Sequence, residues 1–205
     1  AMGDGNHSLA TAKTNWENLK KTLTPEEAEN HPARYALCEI ENIHDDGIVF
    51  EPIHRVIFAN QGQSGMDLVN KLVDHLGKLN GKAYLADADA AAPEGAFEIP
   101  YITGAQRGKI IIEQPENKLE VGALQAALDI MVKEEKVCDI DYIHGTAAVE
   151  KLSARDGNAG FMLPPMDKFM LFPAVAADGA LPRKTFSMGE ANEKRYYIES
   201  RYIAK

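Results

Sequence analysis

Val137-Cys138-Asp139-Ile140-Asp141-Tyr142-Ile143-His144 alternates apolar with polar residues, and after Gly145 the run Thr146-Ala147-Ala148-Val149-Glu150-Lys151-Leu152 takes up helical spacing. A period of two is a strand signal, and the change to a period near 3.6 is a helix signal. The short apolar run 160–163, stopped by Pro164-Pro165, reads as the next strand. Strand, helix, strand is the succession that a crossover connection needs, so the expected fold is α/β or α+β.

Working back towards the N-terminus, residues 119–136 predict a helix with Val121, Leu124, Leu128 and Met131 or Val132 facing inward. Residues 97–103 and 109–113 predict a hairpin joined through Gly104-Ala105-Gln106-Arg107-Gly108. The Ala/Asp-rich stretch 86–92 offers no core. Residues 64–79 carry Leu68, Val69, Leu72, Val73, Leu76 and Leu79 on one face, the clearest helix in the chain. Residues 34–41 and 48–58 read as strands of a further hairpin, because Asn42-Ile43-His44-Asp45-Asp46-Gly47 ends in an Asp-Gly step. Pro52 must then lie at an edge or a bulge. Thr24-Pro25-Glu26-Glu27 is a short helix start with Pro at its first position, and residues 8–19 predict a helix with Ser8 as its N-cap. Towards the C-terminus the chain breaks at Asp178-Gly179 and Pro182, and residues 195–203 close it as a strand or short helix. The expectation is a mixed sheet with two antiparallel hairpins and packed helices, one domain over residues 1–205 with a weak boundary near 80–95.

Of 205 residues, 45% are apolar and 26% charged, which suits a buried core. A net charge of −9 repels duplex nucleic acid. Cys38 and Cys138 have neither metal nor disulfide spacing, and Cys38 sits in the strand-like run 36–40, so both are expected as buried free thiols in a reducing compartment. No stretch approaches the roughly 20 apolar residues of a membrane helix, and the first residues lack a signal peptide's pattern. Cytoplasmic location is the default expectation.

The start of the chain holds the densest chemistry. Gly3-Asp4-Gly5-Asn6-His7-Ser8 runs into a helix whose first N–H groups attract anions. In an α/β unit such a loop follows a strand, whereas only Ala1 and Met2 precede it here. The expectation is the C-terminal portion of a longer protein, with the missing N-terminal segment as a partner.

Several separated runs carry a resemblance. Gly3-Asp4-Gly5-Asn6-His7-Ser8-Leu9-Ala10-Thr11-Ala12-Lys13, His31-Pro32-Ala33-Arg34-Tyr35-Ala36-Leu37 and Phe50-Glu51-Pro52-Ile53-His54-Arg55-Val56 resemble a conserved uncharacterised family, domain of unknown function 1015. Asp141-Tyr142-Ile143-His144-Gly145, Phe161-Met162-Leu163-Pro164-Pro165 and the run 181–190 fit it in order. The first motif, in the form Asp-Gly-x-His-Arg, is more distantly similar to the phosphate-binding loop of the ParB and sulfiredoxin superfamily, which includes nucleotide-dependent partition proteins and a free-serine kinase. Asp4, Gly5 and His7 keep that pattern, but Ser8 stands where the motif has Arg, the residue suited to bidentate phosphate binding. Lys13 or Arg55 is left to supply the charge.

What the resemblance implies is an anion- or nucleotide-binding loop, with Mg²⁺ accompanying the nucleotide, and a small-molecule phosphotransferase. His7 and Asp4 would then be catalytic, with Gly5, Asn6, Ser8, Lys13 and Arg55 holding the ligand, and Lys184 joins them on the separate ground that it lies in a local basic pair of an acidic chain. In that arrangement Gly5 allows close backbone approach, His7 moves a proton or binds phosphate, and Asp4 holds a metal ion or hydroxyl. The plainer alternative is a glycine turn with Asp4 and Ser8 capping a helix. A non-catalytic nucleotide-sensing module and a ParB-like partition accessory, the latter opposed by charge, are the other readings. His54 shares a strand face with Val56 and Phe58 and reads as a hydrogen-bonded core histidine. Arg55, if not a ligand residue, reads as an ion-paired surface residue. His144-Gly145 ends a strand where α/β sheets bind ligands, or else forms a glycine turn capped by the histidine. Arg183-Lys184-Thr185 with Ser187 either holds a phosphate or is a solvated basic loop. The other histidines, His31, His44 and His75, have no metal-ligand spacing, and no metal site is expected.

Overall fold

The computed structural model describes residues 2, 5–179, 181–189, 202 and 203. The chain divides into two compact units, one drawn from Ala1–Val49 and Ser187–Lys205, the other from Phe50–Phe186.

In the first unit, α1 (Asn6–Leu19) passes into a 3₁₀ turn, and α2 (Pro25–Asn30) is followed by a second such turn at Pro32–Arg34. α2 starts as its sequence implies. The Thr24 hydroxyl accepts the Glu27 N–H at 3.3 Å, and the Glu27 carboxylate accepts the Thr24 N–H at 2.9 Å. α1 starts differently: its cap is Gly5 at φ 78°, which moves Ser8, the expected cap, into the first turn. The left-handed conformation explains the shift, because glycine adopts it without steric cost. The apolar spacing of α1 produces no core, since none of its residues is buried, although Trp16 reaches the buried His31 ring at 6.1 Å between centroids.

The first expected hairpin does not form, and residues 35–49 hold no strand. Asn42 Oδ1 accepts the His44 N–H and Asp45 Oδ1 accepts the Gly47 N–H, so the Asn and Asp side chains wind the backbone into local turns. Without a strand around it, Cys38 is exposed, contrary to expectation, whereas Cys138 is buried as expected.

The second unit is built on a strongly antiparallel sheet. Its strands are β1 (Phe50–Ala59), β2 (Ala83–Ala86), β3 (Phe97–Thr103), β4 (Gln106–Ile112), β5 (Cys138–His144) and β6 (Asn158–Phe161), in the order β2-β4-β3-β6-β1-β5. The seventh strand, β7 (Phe186–Met188), opens on the last residue of the unit, where Phe186 stacks on Phe50 with centroids 3.9 Å apart. β1 lies between β5 (Ile53↔His144 to Ala59↔Cys138) and β6 (Arg55↔Phe161 to Phe58↔Asn158). With both edges occupied it has no place for residues 34–41 along that length, the second reason the first hairpin fails. Pro52 precedes both of these ladders, where its missing N–H costs nothing in either. β5 and β6, each antiparallel to β1, run parallel to one another and are joined by α5 (Thr146–Ser153), so the expected crossover exists but straddles β1.

The second expected hairpin forms as β3 and β4 around Gly104-Ala105, and β2 pairs with the far edge of β4. α3 (Gly65–Asn80) starts in a reciprocal Ser64–Asp67 cap and buries Leu68, Val69, Leu72 and Leu76, each such side chain stabilising the fold by about 1.5–3 kcal/mol. α4 (Glu120–Asp129) buries Val121, Leu124 and Leu128, then widens into a π-helical turn over Ile130–Glu134. These helices share the core with Ile57, Ile99, Tyr101 and Phe161. α5 covers the opposite face, where Gly160 passes so close to Ser153 and Val149 that a Cβ would meet them at 2.2 and 2.5 Å. α6 (Leu171–Asp178) and β7 form where the sequence suggests no element, and α6 ends at the expected break at Asp178-Gly179. Most of the element expected over residues 195–203 lies outside the described residues. Among the described residues no helix is long and apolar enough to cross a membrane.

α3 tests this packing through its two glycines. A Cβ on Gly65 would lie 2.0 Å from Thr103 Oγ1 and 2.2 Å from the Asn158 carbonyl oxygen, whereas one on Gly77 meets nothing closer than 3.8 Å. Urea denaturation should show Gly65→Ala losing about 1–3 kcal/mol and Gly77→Ala gaining up to about 1 kcal/mol. Equal effects would contradict the close approach of α3 to Thr103 and Asn158.

Candidate functional site

In the first unit the expected site residues lie at the start of α1. The Gly5 carbonyl accepts the Leu9 N–H at 2.9 Å and opens the helix, and no side chain among the described residues caps it. Its first turn contains no carboxylate. The N–H groups of Asn6, His7 and Ser8 therefore stand at the positive end of a 14-residue helix. The Asn6 amide donates to the Met2 carbonyl at 3.4 Å. His7 is exposed and begins a shallow groove lined by Ala10, Thr11, Thr14, Asn15 and Asn18, which repeat at helical spacing along one face and, Ala10 apart, are polar. Lys13 is exposed and outside that lining. Asp4 and Gly3 lie outside the described residues.

In the second unit the structure brings Arg55 and Lys184 together. Arg55 is not a surface residue but is fully buried. Its place on the β1 face shared with Ile53 and Ile57 could be read from the alternation, whereas the groups packed around it, Gln125 of α4, the Tyr142 ring and the Arg183–Lys184 turn, are distant in sequence. Its Nε donates to Gln125 Oε1 at 3.0 Å, Nη1 to the Ile53 carbonyl at 2.6 Å, and Nη2 to the Arg183 and Lys184 carbonyls at 3.3 and 2.9 Å. No carboxylate lies within ion-pair distance of Arg55 among the described residues. Burial lowers its pKa to about 10, with the Arg183 charge adding to the fall.

The surroundings extend this cluster. Arg55 Cζ lies 4.6 Å and Arg183 Cζ 5.6 Å from the centre of the Tyr142 ring, a cation–π arrangement. Register explains the first contact, since Arg55 faces Tyr142 directly across β1 and β5. Gln125 passes the interaction outward by donating to Asp129 at 2.7 Å, and Asp129 also meets Lys133 at 2.5 Å and Arg183 at 3.6 Å. These contacts hold the Asp129 carboxyl below its ordinary range, against the opposing effect of burial. Tyr142 and Gln125 escaped the sequence reading. The available signal for Gln125 was a polar residue one turn after Val121 on an inward stripe; Tyr142 required knowledge of the β1–β5 register.

The neighbouring histidines are simpler. His54 Nδ1 accepts the Leu163 N–H at 3.1 Å, the hydrogen-bonded core histidine expected from sequence. Gly145 adopts φ 79°, the turn that only glycine makes easily, but no side chain caps α5, so His144 does not play the capping part. The Thr185 hydroxyl donates to the Pro182 carbonyl at 2.6 Å and closes the turn that carries Arg183 and Lys184, with Lys184 at φ 57°.

An antiparallel sheet with helices on both faces, pinned by a buried arginine, defines the architecture of the second unit. The chain belongs to the family described as Protein of unknown function (DUF1015), whose model matches residues 1–143. It is similar in fold to a conserved hypothetical protein from Pyrococcus furiosus, with 17% identity and a TM-score of 0.52. That match covers 74% of this chain and 60% of the archaeal one. No curated protein matches the chain.

His54 gives this region a pH dependence. Burial first, then the Arg55 and His144 charges, lower its pKa, and protonation at Nδ1 would also remove the acceptor for Leu163 N–H. Between the lowered folded value and the ordinary value of 6.5 the unfolded chain binds more protons, so stability should fall as pH falls through that window. Thermal melts from pH 7.5 to 5 should show that loss in the parent and a flatter profile in His54→Asn, whose amide oxygen can still accept. Identical profiles would refute the assignment.

Proposed function

We propose that this chain binds a phosphate-bearing small molecule at the start of α1, with a Mg²⁺-nucleotide as the first candidate, and that the site serves phosphoryl transfer. The observation that carries this reading is a 14-residue helix beginning at left-handed Gly5, with no described side-chain cap and no carboxylate in its first turn. Such an end offers directed N–H donors and a positive dipole to an anion. His7 stands in that first turn with an exposed imidazole, suited to a hydrogen bond with phosphate or to proton transfer. Thr11, Thr14, Asn15 and Asn18 continue from it as hydroxyl and amide groups that suit the hydroxylated body of a nucleotide. Ser8 contributes a hydroxyl and an N–H where the distantly similar loop has an arginine, so backbone donors carry more of the binding here. Asp4, adjoining Gly5, is assigned the metal ion or the acceptor hydroxyl.

Calorimetry with nucleoside di- and triphosphates, with and without Mg²⁺, tests the reading. His7→Ala should weaken binding about tenfold or more, the loss expected for one charge-assisted hydrogen bond, while the melting temperature without ligand stays unchanged. Product formation that disappears in the variant establishes transfer. Binding without product makes the site a nucleotide sensor, and absence of binding to any nucleotide refutes the reading.

A further inference from the structure

The second unit holds a positive centre separate from the residues of α1. The donors of Arg55 go to neutral oxygens, and Asp129 is the carboxylate shared by Gln125, Lys133 and Arg183. Lys184 is exposed and makes no ion pair among the described residues. Lys133 and Arg183 thus share one carboxylate, Arg55 reaches it only through Gln125, and Lys184 follows Arg183 in the same turn, in a chain whose net charge is −9. Two guanidinium groups also approach one aromatic ring despite their mutual repulsion. The Tyr142 hydroxyl beside them is buried with no partner among the described residues, although buried hydroxyls ordinarily have one. Lys184 takes a left-handed φ of 57°, uncommon for a side chain of its kind, in a turn held by Arg55 through two carbonyls.

We infer that Arg183, Lys184 and the Tyr142 hydroxyl form a binding site for the phosphate group of a small molecule, with Arg55 as the positioning residue beneath it. Arg183 supplies a planar fork for two phosphate oxygens, Lys184 a mobile point charge, and Tyr142 an O–H donor in need of an acceptor. Two direct cations, backed by a buried third, suit a dianionic phosphate better than a single carboxylate. Arg55 keeps its own hydrogen bonds and acts on the ligand by fixing the turn and by its field. The inference is independent of His7 and of the proposed function.

Amide NMR titration with inorganic phosphate and pyrophosphate, using acetate as the carboxylate control, tests it. Saturable shifts are expected at Tyr142, Arg183 and Lys184, with acetate binding more weakly. Arg183→Ala/Lys184→Ala retains the backbone carbonyls that Arg55 holds, so its fold should survive, as checked by an unchanged melt, while affinity falls about tenfold or more. Tyr142→Phe keeps the ring and should weaken binding by a smaller factor. His7→Ala should leave these shifts intact, and their loss in that variant would assign the phosphate to α1 and overturn the inference. Absence of saturable shifts, equal binding of acetate, or full affinity in the double variant would overturn it as well.

Discussion

The buried guanidinium of Arg55 is the interaction on which the second unit most depends. It ties together three parts of the chain remote in sequence: the β1 carbonyl of Ile53, Gln125 on α4, and the turn carbonyls of Arg183 and Lys184. Arginine meets this demand because its donors diverge in a fixed plane, whereas the single ammonium of lysine cannot point at four separated acceptors. Taking the cation out of water carries a cost, visible in the lowering of its pKa to about 10, and carbonyl dipoles with the Tyr142 ring offset it. The group nevertheless stays protonated at neutral pH. Losing it would leave these acceptors unsatisfied around a hole in the core.

How much of this was legible depended on whether the governing interactions were local. α3 declared itself because its apolar stripe and the Ser64–Asp67 cap lie within one continuous segment. The β3–β4 hairpin did so because its turn and both strands are contiguous. Residues 34–41 alternate like a strand, yet the nearby Asn42 and Asp45 side chains capture backbone donors, while β5 and β6, some 80 or more residues away, take the edges of β1. β2 escaped because the short Ala83–Ala86 run has little alternating bulk and depends on the edge of β4. At the sites the same rule held. Arg55 and Lys184 could be named as charged residues, but their contact spans 129 positions, and Arg55 is buried among groups from three other parts of the chain, Gln125, Tyr142 and the Arg183–Lys184 turn.

The two units differ in what holds them. The second encloses a continuous apolar core in which Leu72, Leu76, Ile110 and Leu124 are fully buried. The described part of the first relies on helix caps, the Trp16–His31 contact and the Arg34 guanidinium donating to the Glu29 carbonyl at 2.9 Å. Segments with few buried apolar contacts open at lower free energy than a packed sheet. A ligand-binding start of α1 would therefore sit on the more yielding part of the molecule, and ligand would add to its order.

The contrast between the two cysteines has a practical consequence. Cys138 lies in β5 at 1% exposure, and burial with the nearby Asp139 and Glu135 charges raises its thiol pKa to about 11, whereas Cys38 is open to solvent. A maleimide dye at neutral pH can therefore mark Cys38 and leave Cys138 untouched, because the thiolate is the reacting species and access decides the rest. The native chain thus provides a single-site attachment point in its first unit, from which fluorescence anisotropy can follow that unit without any engineered cysteine.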